Sequence, residues 1–188
     1  LHILDYGAGT GLHLELWKIL FSKSDIFLTD ISEVGRSKCL SFNKDFQGRY
    51  KLIKNNRSEF ESEKFDLVLS VEVMEHASDL SSYLRDIFRL LKPGGIFIWT
   101  TPCGNSLSIE HIYSLLTKQI IKTNEGYIKW KWEDPTHVRR LKSSEIEKEL
   151  ILSGFDKIKF RFRAHIFSFL CTYCPPRHLF HNIRNKIM

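Results

Sequence analysis

The chain has 188 residues, 43% of them hydrophobic and 27% charged, which is the length of one ordinary domain with enough apolar content for a full core and excludes disordered and collagen-like classes. No stretch approaches the run of about 18 apolar residues that a spanning helix needs. The net charge of +6 sits at the end of the chain, where seven Lys or Arg stand against Asp156 alone from Gly154 onward, so the body is neutral and a uniformly basic nucleic-acid binder is not expected.

Residues 2–5 read as a short buried strand. Residues 12–21 read as a helix with Leu12, Leu16, Ile19 and Leu20 on its apolar face. Residues 25–30 (DIFLTD) form a second strand, and Ser32 caps a helix running to about residue 43. Residues 50–55 and 65–71 (FDLVLSV) give a third and a fourth strand. Residues 80–91 make an amphipathic helix, closed by Lys92-Pro93-Gly94-Gly95. A fifth strand follows at 96–101 and ends at Pro102. Beyond it the pattern is less regular. Residues 109–122 look helical, 126–135 alternate and carry Trp130 and Trp132, and 143–153 form a capped helix. The strict alternation of 156–163 (DKIKFRFR) predicts an edge strand. Strands alternating with crossover helices predict an α/β, doubly wound, mostly parallel sheet. The domain is expected over residues 1–163, with an acceptor-covering insertion at about 103–142 and a basic, aromatic extension at 164–188.

The turn Gly7-Ala8-Gly9-Thr10-Gly11 joins the first strand to the first helix. Its glycines permit a tight turn and close backbone approach, and the helix start presents free N–H groups to a ligand. Asp30 closes the second strand 19 residues after Gly11, where a carboxylate can accept two ribose hydroxyls. The spacing G-x-G-x-G departs from the dinucleotide fingerprint G-x-G-x-x-G.

LDYGAGTG, TDIS, FDLVLSVEVMEH and LLKPGG, in that order, resemble the successive motifs of class I S-adenosylmethionine-dependent methyltransferases, and the resemblance covers about residues 1–102. It implies a Rossmann-like fold and S-adenosylmethionine as cofactor. It implies that Asp5, Gly7, Ala8, Gly9 and Gly11 hold the methionine end, that Asp30 binds the ribose, and that Ile31 flanks the adenine. Val71 and Glu72 would border the sulfonium. The acidic residue usual after the third strand is absent from Lys54-Asn55-Asn56-Arg57, and Asn55 or Asn56 is the stand-in. A helix before the first strand is usual in the family, and a chain opening on Leu1 suggests natural sequence upstream.

An oxygen acceptor needs a base near neutral pKa, which points to histidine. His137, in Asp134-Pro135-Thr136-His137, and His76, just beyond the fourth strand, are the candidates. The stretch D-P-T-H-V-R resembles one in methyltransferases of glycan-modifier type. Glu72-x-x-Glu75-His76 with His137 also gathers residues of metal-ligand type, and resembles a pattern in RNA 2′-O-methyltransferases and quinone-pathway O-methyltransferases. The same ending is common to the family's fourth strand, and the reading assigns no metal. The expected activity is O-methylation of a small molecule or glycan. The alternatives are a metal-dependent RNA or quinone-pathway enzyme and a catalytically degenerate scaffold. Cys171-x-x-Cys174 with His178 and His181 is read as packed tail rather than zinc site, because the spacing is short. Phe167, Phe169, Leu170, Tyr173, Leu179 and Phe180 are read as core or interface, with a peripheral contact on an anionic membrane as the alternative. Four scattered cysteines and no charged-then-apolar leader point to the reducing cytoplasm.

Overall fold

A computed structural model describes residues 1–105, 109–123 and 128–162. The readings of the tail, its cysteines and its membrane contact included, lie outside the described residues. Six strands form one sheet: β1 (His2–Tyr6), β2 (Asp25–Asp30), β3 (Tyr50–Lys54), β4 (Arg57–Ser58), β5 (Phe65–Val71) and β6 (Leu91–Thr100). Their spatial order is β4-β3-β2-β1-β5-β6. All pairs are parallel except β3 with β4, so the fold is the mostly parallel, doubly wound sheet expected. The chain winds outward from β1 to β4, then restarts on the other side of β1 with β5. That reversal opens a crevice at the carboxyl ends of β1 and β5, where ligands bind in such sheets.

Helices cover both faces. Helix α1 (Leu14–Leu20) and α2 (Glu33–Phe42) share one core with Ile3, Ile26, Leu28 and Leu69. Helix α3 (Leu80–Leu90) and the later helix over Ser143–Leu152 share the other with Leu4, Val68, Leu84, Ile87 and Leu150. Ile3 and Leu4 are neighbours on β1 and are both fully buried on opposite sides, which explains the unbroken apolar reading of that strand. Caps set the helix starts: Ser32 Oγ accepts the Gly35 N–H and Asp79 accepts the Ser82 N–H.

Four sequence readings change. The apolar face assigned to the first helix is outward: Leu12, Ile19 and Leu20 are 83%, 75% and 59% exposed, while Leu14 and Trp17 enter the core. The third strand ends at a two-residue turn. Asn55 and Asn56 both have positive φ, the geometry of a hairpin turn that asparagine tolerates, and β4 returns from it. The helix from 109 stops early, as α4 (Ile109–Leu116), and is followed by a hairpin of β7 (Ile120–Lys122) and β8 (Ile128–Trp130). Residues 156–162 are not a strand. Ile158 and Phe160 pack on the core beside Trp99, so their alternation records one-sided burial and not strand pairing. The last helix, α5 (Ser143–Leu152), stands where expected, with the Lys142 N–H on the Glu145 carboxylate.

The segment after β6 meets the start of the last helix: Cys103 bridges to Leu141 and the Gly104 N–H reaches the Leu141 carbonyl at 2.9 Å. The corrected orientation of α1 predicts that Leu14→Ala costs about 2–5 kcal/mol of stability, whereas Ile19→Ala changes it by less than about 0.5 kcal/mol. Urea unfolding of the two variants measures both.

Candidate active site

The turn after β1 is built on backbone bonds. The N–H groups of Gly7 and Ala8 both donate to the Thr29 carbonyl, at 2.8 and 3.1 Å. Gly7 has φ +87°, and a Cβ there would collide with the Val73 side chain. Gly11 has φ +79°, and a Cβ would lie 2.6 Å from Cys39 Sγ. Only glycine fits both positions. Asp30 then locks the turn: its Oδ2 accepts the Gly9 N–H and its Oδ1 accepts the Ser32 N–H, each at 2.8 Å. Tyr50 adds a hydroxyl bond to the Gly9 carbonyl. Each Asp30 oxygen retains a further lone pair, the chemistry a diol would use. Ala8 is buried and Ile31 is 78% exposed. Asp5 is 2% exposed and accepts the Trp17 indole N–H at 2.8 Å, so it anchors α1 beneath the turn. Asn55 is exposed at the hairpin, beyond the rung that pairs Asp30 with Leu52, and its positive φ accounts for the residue type.

On the other side of the crevice β5 ends at Val71. Glu72 has φ +54°, an uncommon conformation for a side-chain-bearing residue that is often found at functional sites. Its N–H donates to the Thr100 carbonyl. Val73 then touches Gly7, so the two turns are in direct contact. A single turn over Met74–His76 follows. Glu75 is 1% exposed. Its Oε2 accepts the Thr101 hydroxyl, while its Oε1 has no hydrogen-bonding partner among the described residues. Burial, with repulsion from the neighbouring Glu72 carboxylate, pushes the Glu75 pKa up to about 7.

The segment after β8 folds over this turn. The Val138 N–H donates to the Glu75 carbonyl at 2.9 Å and Arg139 Nη2 to the Ser78 carbonyl at 2.8 Å. The His76 and His137 rings meet at 4.7 Å between centroids, edge to face. His76 Nδ1 faces the Thr136 carbonyl and hydroxyl oxygens at 3.3 and 3.1 Å. The Thr136 hydroxyl donates its one proton to Asp134, so both oxygens are acceptors and His76 Nδ1 carries the proton. His137 Nδ1 faces Glu133 Oε2 at 3.3 Å, again an acceptor. Hydrogen bonding thus leaves Nε2 of each neutral ring as the basic nitrogen. His137 Nε2 lies 3.9 Å from Glu75 Oε1. One candidate ligand atom from each of Glu75, His76 and His137 falls within 4.8 Å of the others.

The structure therefore brings His76 and His137 together and sets them against the end of β5, across from the glycine turn. Sequence reading missed Thr136 and Glu133 as their partners, and Thr101 as the partner of Glu75. The spacing of Glu133 four residues before His137 was a readable signal. Trp130 is fully buried, stacked on Trp132 and under Arg140, so it is core of the segment rather than pocket lining.

A family model described as a methyltransferase domain matches residues 2–159. The ubiquinone biosynthesis O-methyltransferase of Maricaulis maris is 36% identical over 105 residues, covering 54% of this chain and 40% of that protein. The protein of the same name from Sinorhizobium medicae is 24% identical over 159 residues, covering 83% and 60%. The chain thus spans 40% and 60% of the length of these two relatives. A methyltransferase structure from Mesorhizobium loti superposes with a TM-score of 0.61 at 18% identity, over 95% of this chain and 85% of that one. The YcgJ protein from Bacillus subtilis gives 0.59 at 20%, over 81% and 60%. At such identities these structures share the fold.

The burial of Asp5 generates a pH prediction. Desolvation raises its pKa from 3.8 to about 6, against the lowering effect of the Trp17 bond. The unfolded chain releases this proton first, so the stability Asp5 contributes is present below about pH 4 and is lost as pH rises to about 6. Denaturation across that window, compared between the parent chain and Asp5→Asn, checks it: the difference in stability between the two should change with pH in that direction.

Proposed function

Because the chain belongs to the methyltransferase domain family, we propose that it methylates a hydroxyl of a small organic acceptor, phenolic or sugar-like, with His137 as general base. The observation that carries this reading is the convergence of His137 and His76 on the end of β5, with a hydrogen bond on Nδ1 of each leaving Nε2 basic. The relatives named O-methyltransferases support an oxygen acceptor.

Bound S-adenosylmethionine supplies a methyl group on a sulfonium, whose transfer to oxygen breaks the carbon–sulfur bond and leaves S-adenosylhomocysteine. The protein's share is alignment, exclusion of water and removal of one proton. Asp30 would hold the ribose hydroxyls, and the turn from Gly7 to Gly11 the methionine end. Ile31 stands exposed where an adenine face could pack. Val71 and Glu72 would border the methyl group. His137 Nε2 takes the acceptor proton, with His76 beside it.

A second reading adds a divalent cation. Glu75 Oε1 is buried and unpartnered among the described residues, with two imidazoles within ligand reach, and one carboxylate with two imidazoles suits zinc or manganese. Glu75, His76 and His137 would hold the ion, and its chemistry there would be to acidify the acceptor hydroxyl. We further propose a reducing, cytoplasmic setting, in keeping with the free thiols of Cys39 and Cys103. No helix among the described residues is long and apolar enough to cross a membrane.

The test is transfer of radiolabelled methyl to catechol-type and sugar acceptors. His137→Gln should lower kcat by about 10²–10⁴-fold while S-adenosylhomocysteine binding is unchanged. Loss of activity on chelation, restored by Mn²⁺, selects the cation reading, and indifference to chelation selects the base alone. Transfer that proceeds at full rate without His137 would sink both.

A further inference from the structure

Glu133 is the most heavily engaged carboxylate near the site, with its side chain 2% exposed. Its Oε1 accepts the Trp130 N–H at 2.8 Å. Its Oε2 faces both His137 Nδ1 and the Nε–H of Arg140. Burying a carboxylate is costly unless it is paired. Arg140 provides the pairing charge, and its guanidinium carbon is held 3.4 Å from the centroid of the Trp130 ring. The group is thus fixed from three sides before it meets the histidine.

We infer that Glu133 is a positioning residue: with Arg140 it holds His137 in the Nδ1–H tautomer, so that Nε2 faces Glu75 Oε1. A carboxylate accepts and does not donate, and of the two carboxylates beside the ring only Glu133 is within hydrogen-bonding distance, so the imidazole proton sits on Nδ1. His137 stands between two buried carboxylates, Glu133 on its Nδ1 side at 3.3 Å and Glu75 on its Nε2 side at 3.9 Å. The backbone places the Cα of His137 through the bonds from its N–H to the Asp134 carbonyl and from the Val138 N–H to the Glu75 carbonyl. Those bonds do not fix the ring torsion or the proton, and Glu133 sets both. What Nε2 then does, as base or as cation ligand, rests on the proposed function. The tautomer does not.

The experiment is nitrogen-15 spectroscopy of the histidine-labelled full chain, at a pH where imidazoles are neutral, with His137 assigned through its loss in His137→Asn. The expected wild-type signal is the Nδ1–H tautomer. Glu133→Gln presents an amide that cannot accept from Trp130, Arg140 and His137 together. It should shift His137 toward the Nε2–H form and weaken binding of Mn²⁺ alone by about 10-fold or more. Loss of the Arg140 pairing should lower the unfolding midpoint, but the variant that remains folded should keep its S-adenosylhomocysteine affinity, so the change of tautomer is read on a folded protein. An Nε2–H tautomer in the wild type overturns the inference, as does a Glu133→Gln protein with unaltered tautomer. If the variant does not fold, the wild-type tautomer still decides. Should the wild type bind no Mn²⁺ and transfer no methyl group, the functional reading fails while the tautomer continues to test Glu133.

Discussion

Strand β1 is hydrogen-bonded on both sides, to β2 and to β5, in parallel register, and the site depends on that double pairing. It brings the carboxyl ends of three strands to one edge of the sheet. The glycine turn leaves β1, Asp30 ends β2, and the turn carrying Glu75 and His76 follows β5. Gly7 completes the arrangement, because its missing Cβ admits Val73 from the β5 turn. Asp30 holds the glycine turn from the β2 side by the Gly9 N–H. The segment carrying Thr136 and His137 is then latched from above, backbone to backbone, at Glu75. The turn after β5 and the segment after β8, about sixty residues apart in sequence, meet through these few bonds.

The buried carboxylates sort by their partners. Asp86 pairs with Arg89 and also accepts from Tyr6 and Ser58. Glu133 pairs with Arg140. Both are fixed charges that tie elements together. Glu75 instead faces an imidazole and a second carboxylate, and its pKa rises to about 7. Asp5, also buried without a fixed cation, is held by the Trp17 indole N–H, whereas Glu75 Oε1 has no hydrogen-bonding partner among the described residues.

The sheet was readable because strands buried on two faces leave unbroken apolar runs, as in DIFLTD and FDLVLSV. The glycine turn was readable because φ and space restrict Gly7 and Gly11 to glycine, and Asp30 because a carboxylate ending β2 can accept both turn N–H groups and a diol. The face of α1 was misread because Leu12, Leu16, Ile19 and Leu20 keep helical spacing yet point outward, and periodicity names a face without saying what covers it. The alternation of Ile158 and Phe160 misled in the same way, since period two also describes a segment resting one side on Trp99. The paired asparagines at 55 and 56 carried a hairpin signal that the search for an adenine contact obscured. Glu133 was hidden because its role is relational: it matters through His137 and Arg140, which only the folded segment brings to its two oxygens.

The most direct measurement is calorimetric titration of the folded chain with S-adenosylhomocysteine, repeated with Asp30→Ala. The geometry of the glycine turn predicts saturable binding that the substitution weakens, because Asp30 both holds the Gly9 N–H and offers its remaining lone pairs to the ribose. Binding that is indifferent to Asp30, or a folded chain that takes up no ligand, would contradict the assignment of the crevice between β1 and β5 as the cofactor site.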